Sequence, residues 1–266
     1  MRKIAVVNMK GGVGKTTTAV HLAARLAGAH DQRVLLIDVD PQGNVGHALN
    51  VHADATVREL LLGEAALDTA IARNVRPNLD VMPATPTAFT LETQLAGVMR
   101  RETLLARRLR ELEGYDAVVI DSSPSMNLLT YNALLYATEL IVPIGMDRMA
   151  IVGARQTVDG VHEIRDLWPS HSLDLLAVLP TTVNMTTNAS RAIFAALEDD
   201  DEMWARLFRP GIRQCLDLTY ANASQQTIWE YAPRSRAAED YASFVDFVGG
   251  NGDCCKGEDA TDQKVH

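Results

Sequence analysis

The chain has 266 residues, of which 47% are hydrophobic and 22% charged, and these fractions are typical of a globular fold that buries a core. Its 25 Lys and Arg against 34 Asp and Glu give a net charge of −9, which excludes a generally basic nucleic-acid-coating protein but allows a local basic patch. The three cysteines are too few and too badly spaced for a disulfide framework, a zinc site or a four-thiolate cluster, so a reducing cytoplasm is expected.

Short apolar runs alternate with longer stretches of helical periodicity, which is typical of βα units that build a largely parallel sheet. The runs are rich in Val, Ile and Leu, as expected of strands covered on both faces. In chain order, the predicted strands are residues 3–8, 33–38, 79–83, 116–121, 139–143 and 175–183. The predicted helices are residues 15–27, 57–62, 87–95, 101–112, 127–137, 150–167, 190–197 and 236–248.

The sequence indicates one domain over residues 1–248. Residues 249–266 contain Gly, Asp and Lys with almost no bulky apolar side chain, so we predict a disordered tail there. Residues 198–202 are five consecutive acids and are predicted to form a solvated loop. No run of about 18 apolar residues is present, and Asn8 and Lys10 interrupt the first apolar run too early for an export signal. No membrane association is therefore expected.

A glycine-rich segment, KGGVGKTTT at residues 10–18, lies between the first predicted strand and the first predicted helix. Its glycines allow backbone N–H groups to approach phosphate oxygens, and the helix N-terminus adds partial positive charge. In such a loop Lys15 would reach the β- and γ-phosphates, and the Thr16 hydroxyl would ligate Mg²⁺. The first glycine of the standard spacing falls on Met9, so the loop is a modified P-loop. An α/β P-loop NTPase with a mostly parallel sheet flanked by helices is predicted.

Two further motifs follow in the same order as in a known family. Residues 38–44 read DVDPQGN, and residues 115–121 read YDAVVID, an apolar strand that ends in a carboxylate. Together with residues 10–18 they resemble the deviant Walker A loop, the switch and the Walker B strand of the ParA/MinD family of ATPases. Near the C-terminus, TIWEYAP at 227–233 and SRAAEDY at 235–241 are similar to ParA partition ATPases in particular. The resemblance covers about residues 3–248.

The resemblance implies a role for each motif residue. Lys10 would reach across a nucleotide-sandwich dimer to the phosphates bound by the partner, as an arginine finger does. The catalytic set it implies is Lys10, Lys15 and Asp40, with Asp40 orienting or activating the attacking water. The nucleotide-binding set is Gly11, Gly12, Val13, Gly14, Lys15, Thr16, Thr17 and Asn184, with Thr17 at the α-phosphate and Asn184 at the adenine. The metal set is Thr16, Asp38 and Asp121.

The implied function is that of a Mg²⁺-dependent ATPase with ATP as its nucleotide. An ATP-bound homodimer would bind DNA non-specifically on the nucleoid, in the cytoplasm, and drive partition or positioning of a plasmid, chromosome or other cargo. A ParB-like partner would stimulate slow hydrolysis. Charge reversal at Arg213 is expected to weaken DNA retention without harming ATP binding. The candidate DNA-binding residues are Arg191, Arg209, Arg213, Arg234 and Arg236.

Other members of the same superfamily remain as alternatives. A MinD-like positioning protein is expected to end in a basic amphipathic helix, whereas this sequence ends in an acidic, Gly-containing segment. A reductase that shares an iron–sulfur cluster needs two cysteines per subunit, but serines follow Asp121 and Cys215 has no evident partner. A biosynthetic amide ligase would need a substrate-carboxylate site, which the sequence does not identify.

Overall fold

The computed structural model describes residues 1–249, and seven strands there form a single sheet. The strands are β1 (Arg2–Val6), β2 (Val34–Asp38), β3 (Ala72–Arg76), β4 (Leu79–Met82), β5 (Ala117–Asp121), β6 (Glu139–Ile144) and β7 (Asp174–Pro180). Their order is β3-β4-β2-β5-β1-β6-β7, and β3 alone runs antiparallel to its neighbour. The predicted mostly parallel α/β sheet is confirmed.

Helices cover both faces of this sheet. They are α1 (Lys15–Ala29), α2 (Asn44–Leu49), α3 (Val57–Leu62), α4 (Leu91–Gln94), α5 (Leu104–Arg108), α6 (Leu128–Tyr136), α7 (Arg148–Leu167), α8 (Asn188–Glu198), α9 (Asp201–Trp204), α10 (Asp217–Ala223), α11 (Ile228–Tyr231) and α12 (Arg236–Gly249). Alternate side chains of β1 enter opposite cores: Ile4 and Val6 pack with α1 and α12, while Ala5 packs with α6 and α7. None of the helices within residues 1–249 is long and apolar enough to span a bilayer.

The register of the central strands brings the three sequence motifs to one edge of the sheet. Strand β5 lies between β1 and β2, with Val6 and Asp38 both paired in register with Asp121. Because all three strands are parallel, the loops that follow them leave the sheet side by side. Ligand sites of open α/β sheets lie at this carboxyl edge.

The structure differs from the sequence-based elements in several places. Strand β3, sequence ARNVR, was missed because it is polar and lies at the sheet edge, where only one neighbour supports it. The helix predicted over 101–112 is instead a 3₁₀ turn, Arg101–Thr103, followed by the five-residue α5. The helix predicted over 87–95 likewise divides into a 3₁₀ segment, Pro86–Thr90, and the one-turn α4.

The run of five acids is not simply a solvated loop, so that expectation is wrong in part. Glu198 ends α8, and Asp200 begins α9 by accepting a hydrogen bond from the Met203 N–H at 3.1 Å. A carboxylate at a helix N-terminus is favoured by the helix dipole. The Arg155 guanidinium of α7 also lies 2.9 Å from Asp200, which partly neutralises the run. Most of the predicted tail lies outside the described residues, and Gly249 is the last residue of α12.

Candidate nucleotide and magnesium site

The loop between β1 and α1 has the backbone that its glycines permit. Gly12 and Gly14 have φ values of +76° and +83°, in the left-handed region that glycine adopts without strain. The Thr181 hydroxyl, just beyond β7, donates to the Val13 carbonyl at 2.9 Å and fixes the loop from the side. Gly14 gives α1 no side-chain cap, so the first N–H groups of this helix are available to an anion.

The two lysines of the loop are linked through one carbonyl. The buried Lys15 ammonium donates to the Lys10 carbonyl oxygen at 3.0 Å. Burial lowers the pKa of Lys15, and the nearby Asp121 and Asp40 partly oppose that effect. Lys10 itself is half-buried, and within residues 1–249 its hydrogen bonds are made by its backbone, with its N–H donating to the Asn8 side chain at 2.8 Å. Its ammonium is therefore available to an outside phosphate.

The carboxylate at the end of β5 has an incomplete set of partners. The Thr16 hydroxyl donates to one Asp121 oxygen at 2.6 Å, whereas the buried Asp121 Oδ1 has no hydrogen-bond partner within the described residues. Burial, together with the negative charge of Asp40, raises the pKa of Asp121 to about 7, and the Thr16 hydrogen bond and the Lys15 charge offset this only in part. A hydroxyl and a carboxylate with a free oxygen fit Mg²⁺, which prefers oxygen ligands and takes the remainder from phosphate and water.

Asp38 and Asp40 shape the segment that follows β2. Both oxygens of the buried Asp38 accept backbone N–H groups, from Asp40 at 2.9 Å and from Val45, at the start of α2, at 3.1 Å. Burial and the adjacent Asp121 carboxylate raise the pKa of Asp38 well above its usual range. Asp38 therefore holds the segment in shape, Thr16 with Asp121 is the better candidate pair for Mg²⁺, and a metal role for Asp38 stays a prediction. Asp40 accepts the Gln42 N–H at 2.9 Å with one oxygen, so its other oxygen can face a water.

Thr17 and Asn184 are the two predicted nucleotide contacts outside the core of the loop. Thr17 lines a cavity of about 160 Å³ between α1, α2 and α10. Asn184 follows β7 three residues after Thr181, and its side-chain oxygen accepts the Thr186 hydroxyl at 2.6 Å. The side-chain oxygen of Asn184 thus closes a local turn, and its side-chain nitrogen is left for a ligand. The adenine contact of Asn184 stays a prediction.

No hydrogen bond joins the side chains of any two of the five candidate DNA-binding arginines within the described residues. Arg213 differs from the others because its guanidinium bonds Asp240 at 2.7 Å and Glu239 at 3.2 Å in α12. A phosphate would have to compete with two carboxylates for it, so the structure weakens the expectation for this residue. The remaining four are exposed, on α8, after α9, between α11 and α12, and at the first residue of α12: Arg191, Arg209, Arg234 and Arg236.

Two residues that hold the loop were not identified from the sequence. Asn8 is fully buried, and its side chain donates to the Pro143 carbonyl at 2.7 Å while accepting the Lys10 N–H. A polar residue directly after an apolar strand is a usable signal for such a role. Thr181 lies far from the loop in sequence, and nothing local marks it.

Comparison with known proteins identifies relatives of this chain. Residues 1–174 match a family model described as an AAA domain. The chain is 33% identical over 255 residues to the sporulation initiation inhibitor protein Soj of Bacillus subtilis, covering 94% of this chain and 98% of that protein. It is 37% identical over 251 residues to the chromosome-partitioning ATPase Soj of Thermus thermophilus, covering 93% and 95%.

A similar solved structure holds the ligands that the site fits. It is the cobyrinic acid a,c-diamide synthase of Mycobacterium smegmatis with a bound ATP analogue and magnesium, with a TM-score of 0.81, 30% identity, and coverage of 96% of this chain and 97% of that one. The phosphate loop, the Thr16–Asp121 pair and these relatives agree on ATP, Mg²⁺ and ATP hydrolysis. The chain belongs to the ParA/Soj family of partition ATPases.

Proposed function

We propose that this ATPase closes into a homodimer around two ATP molecules, binds DNA non-specifically in that state on the nucleoid, and partitions a plasmid, chromosome or other cargo. A ParB-like partner stimulates hydrolysis and returns the protein to monomers. The names of the similar Soj proteins, one a chromosome-partitioning ATPase, support this function. In this cycle the nucleotide shifts a population between two states that differ in affinity for DNA.

The main observation that supports the dimer is the environment of Gly11. This residue is exposed, it needs no left-handed backbone, and a Cβ added there would meet only the Pro124 Cβ at 4.0 Å. Nothing within the described part of the chain therefore requires glycine at this position. A second copy of the loop packed against it would require one, and the free ammonium of Lys10 lies beside it.

The chemistry follows from the residues at the carboxyl edge. Lys15 and the N-terminus of α1 bind the phosphates, and Thr16 with Asp121 would hold Mg²⁺, which neutralises phosphate charge and orients its oxygens. Asp40 orients the attacking water through the oxygen that the Gln42 N–H leaves free. Lys10 of each protomer adds positive charge to the triphosphate of the other. Hydrolysis then depends on dimer closure.

DNA binding is supported by the exposed arginines and by symmetry. The chain as a whole carries a charge of −9, so DNA has to contact a local patch, and two protomers double that patch. Binding of this kind releases counterions, so the affinity is expected to fall steeply as salt rises. Pairing of Arg155 with Asp200 reduces the repulsion that the run of acids would otherwise exert on phosphates.

The dimer is tested by substitution of Gly11 with valine. With a non-hydrolysable ATP analogue, light scattering should show a dimer for the wild type and a monomer for Gly11→Val, while binding of a fluorescent ADP stays within about twofold. Gly28→Val is the matched control, because Gly28 is also exposed, has no positive φ and has nothing within 4 Å of an added Cβ. A Gly11→Val protein that dimerises like the wild type would overturn the proposal.

DNA binding and stimulation are tested separately from the dimer. Anisotropy of a labelled duplex of random sequence should rise with ATP analogue but not with ADP, and the affinity should drop on raising the salt. A product of a neighbouring reading frame that is ParB-like should accelerate ATP turnover in the presence of DNA. Equal DNA affinity with ADP and ATP would contradict a nucleotide-gated cycle.

A second candidate function comes from the solved structure described above. Its name indicates amide formation on cobyrinic acid, and its identity to this chain is 30%. The Soj proteins are more similar, at 33% and 37% over most of the chain, so partition is preferred. The two differ in an easily measured property: acceleration of ATP turnover by cobyrinic acid, with no acceleration by DNA and partner, would favour the synthase.

A further inference from the structure

Helix α7 touches the phosphate loop from the side through a buried hydroxyl. The Met9 N–H donates to the Thr157 Oγ1 at 3.2 Å, and the same hydroxyl donates to the Gly153 carbonyl at 2.7 Å. Thr157 is fully buried, so water cannot replace either bond. A hydroxyl has one proton to donate and lone pairs to accept, and both capacities are used here.

Gly153 makes a second contact one turn earlier on the same helix. A Cβ at this position would lie 2.7 Å from the Asn8 Oδ1, 3.0 Å from the Lys10 Cβ and 3.1 Å from the Lys10 nitrogen. The Lys10 nitrogen is a backbone atom, and the Lys10 Cβ is attached directly to the backbone. The Asn8 oxygen belongs to a buried side chain that is fixed by its hydrogen bond to the Pro143 carbonyl. None of them can swing aside, so α7 approaches the loop closely only because residue 153 is glycine.

Residues 8–10 are the part of the loop on which both lysines depend. The position of the Lys10 Cα sets where its side chain starts, and the Lys10 carbonyl is the acceptor of the Lys15 ammonium. We propose that Gly153 and Thr157 are positioning residues for ATP turnover, which hold this segment so that the two lysines reach phosphate correctly. The inference rests on the proposed function for the part played by Lys10, whereas its effect on Lys15 stands on the shared carbonyl alone.

The hydroxyl is tested by Thr157→Val, which preserves the shape, with Thr157→Ser as the conservative variant that keeps the hydrogen bonds. Thr157→Val should lower kcat about tenfold, because the Met9 N–H loses its acceptor and the segment that carries both lysines is no longer held in place. The ADP affinity and KM should change less than twofold, and Thr157→Ser should restore at least half of the wild-type kcat. Equal loss in the Ser and Val variants, or wild-type kcat in Thr157→Val, would overturn the role of the hydroxyl.

The close approach is tested by Gly153→Ala against Gly160→Ala. Both substitutions lie on α7, seven residues apart and on one face, and both raise helix propensity equally. At Gly160 the added Cβ meets only the Met126 Cε, the mobile end of a flexible side chain. Gly153→Ala should reduce kcat by more than tenfold in a protein that still folds and binds ADP, although with a lower melting temperature because the loop has to shift. Gly160→Ala should retain wild-type kcat. Similar kcat values in the two variants would contradict the proposal.

Lys10→Ala, measured alongside, separates this inference from the proposed function. If Lys10→Ala hydrolyses ATP like the wild type, the trans role of Lys10 fails, and a reduced kcat in Thr157→Val then still supports positioning of Lys15. If Lys10→Ala is inactive but the α7 variants are normal, the dimer mechanism survives and the positioning role is wrong.

Discussion

The phosphate-binding edge and the candidate DNA surface are built differently. At the edge, Lys15, Thr16 and Asp121 are buried or half-buried; the Thr16 hydroxyl donates to Asp121 at 2.6 Å, and the Lys15 ammonium donates to the Lys10 carbonyl at 3.0 Å. On the candidate DNA surface, Arg191 and Arg234 are exposed, lie on separate elements and share no contact. One region concentrates charge where little water remains, and the other spreads it in solvent.

This difference sets the size of the effects expected from mutation. Charges act strongly in a poorly hydrated site, because the effective dielectric constant there is low. Exposed charges are screened by water and salt, so each contributes little and several act together. Single substitutions at the edge should therefore abolish activity, whereas those on the DNA surface should produce graded, salt-dependent changes.

Lys15→Ala is expected to have the largest effect. It removes the buried ammonium that we propose contacts phosphate, and hydrogen bonds to charged groups are worth about 1.5–3 kcal/mol each, so nucleotide affinity should fall about 100-fold or more. Titration with a fluorescent ATP analogue measures this. Lys3→Ala serves as the control, because its ammonium lies 4.4 Å from the centre of the Tyr136 ring rather than in the loop. Near-normal ATP affinity in Lys15→Ala would refute the assignment of the phosphate site.

Asp40→Ala should separate binding from hydrolysis. Loss of a group that orients or activates water typically costs about 100-fold to 10,000-fold in rate, whereas the phosphate contacts remain. Steady-state phosphate release should therefore fall by at least 100-fold, with dimer formation on ATP retained in light scattering. Asp54→Ala, at an exposed aspartate after α2, is the control. Wild-type turnover in Asp40→Ala would remove this residue from the catalytic set.

A buried histidine, His21, should make stability depend on pH. Its neutral ring donates from Nδ1 to the Thr17 carbonyl at 2.7 Å and accepts the Ile228 N–H at 3.0 Å, which ties α1 to α11. Complete burial lowers the pKa of His21 to about 4. Below pH 6.5 the unfolded chain gains a proton that the folded protein does not take up until about pH 4. Stability present above pH 6.5 is therefore lost as the pH falls, by on the order of 3 kcal/mol.

Urea unfolding at pH 7 and pH 4.5 measures this effect. In His21→Gln the difference between the two pH values should shrink by most of that amount, whereas His47→Gln, at an exposed histidine of α2, should leave it unchanged. An unaltered pH dependence in His21→Gln would show that the buried ring is not its source.

The smallest effects are expected for Arg213→Ala and Arg234→Ala, of which the first should lower stability and the second should weaken DNA binding. Arg213→Ala removes the guanidinium that pairs with the largely buried Asp240 and leaves it the backbone N–H of residue 213, so the free energy of unfolding should fall by about 1–2 kcal/mol while DNA affinity at low salt stays nearly constant. Arg234→Ala should leave stability unchanged, weaken DNA binding a few-fold and reduce the salt slope by about one. Reduced DNA affinity in a fully folded Arg213→Ala protein would restore Arg213 to the DNA surface.

The amino-acid pattern alone was sufficient to predict a phosphate site, because that chemistry is local. A nine-residue stretch contains the loop glycines, Lys15 and Thr16, and apolar runs before Asp38 and Asp121 mark the ends of two buried strands. Hydrophobic periodicity likewise predicts the parallel sheet, since strands covered on both faces need continuous apolar runs.

The remaining features depend on residues that are far apart along the chain. The polar edge strand β3 takes its conformation from β4, the Arg213 guanidinium is used by a helix 27 residues later, and Thr157 meets Met9 across 148 residues. No local pattern marks such contacts, because their energy comes from partners that only packing brings within reach. The spacing of residues in the sequence was enough to identify the candidate lysines and carboxylates. The tertiary structure determines which of these charges are buried, which are already paired and which remain free for a ligand.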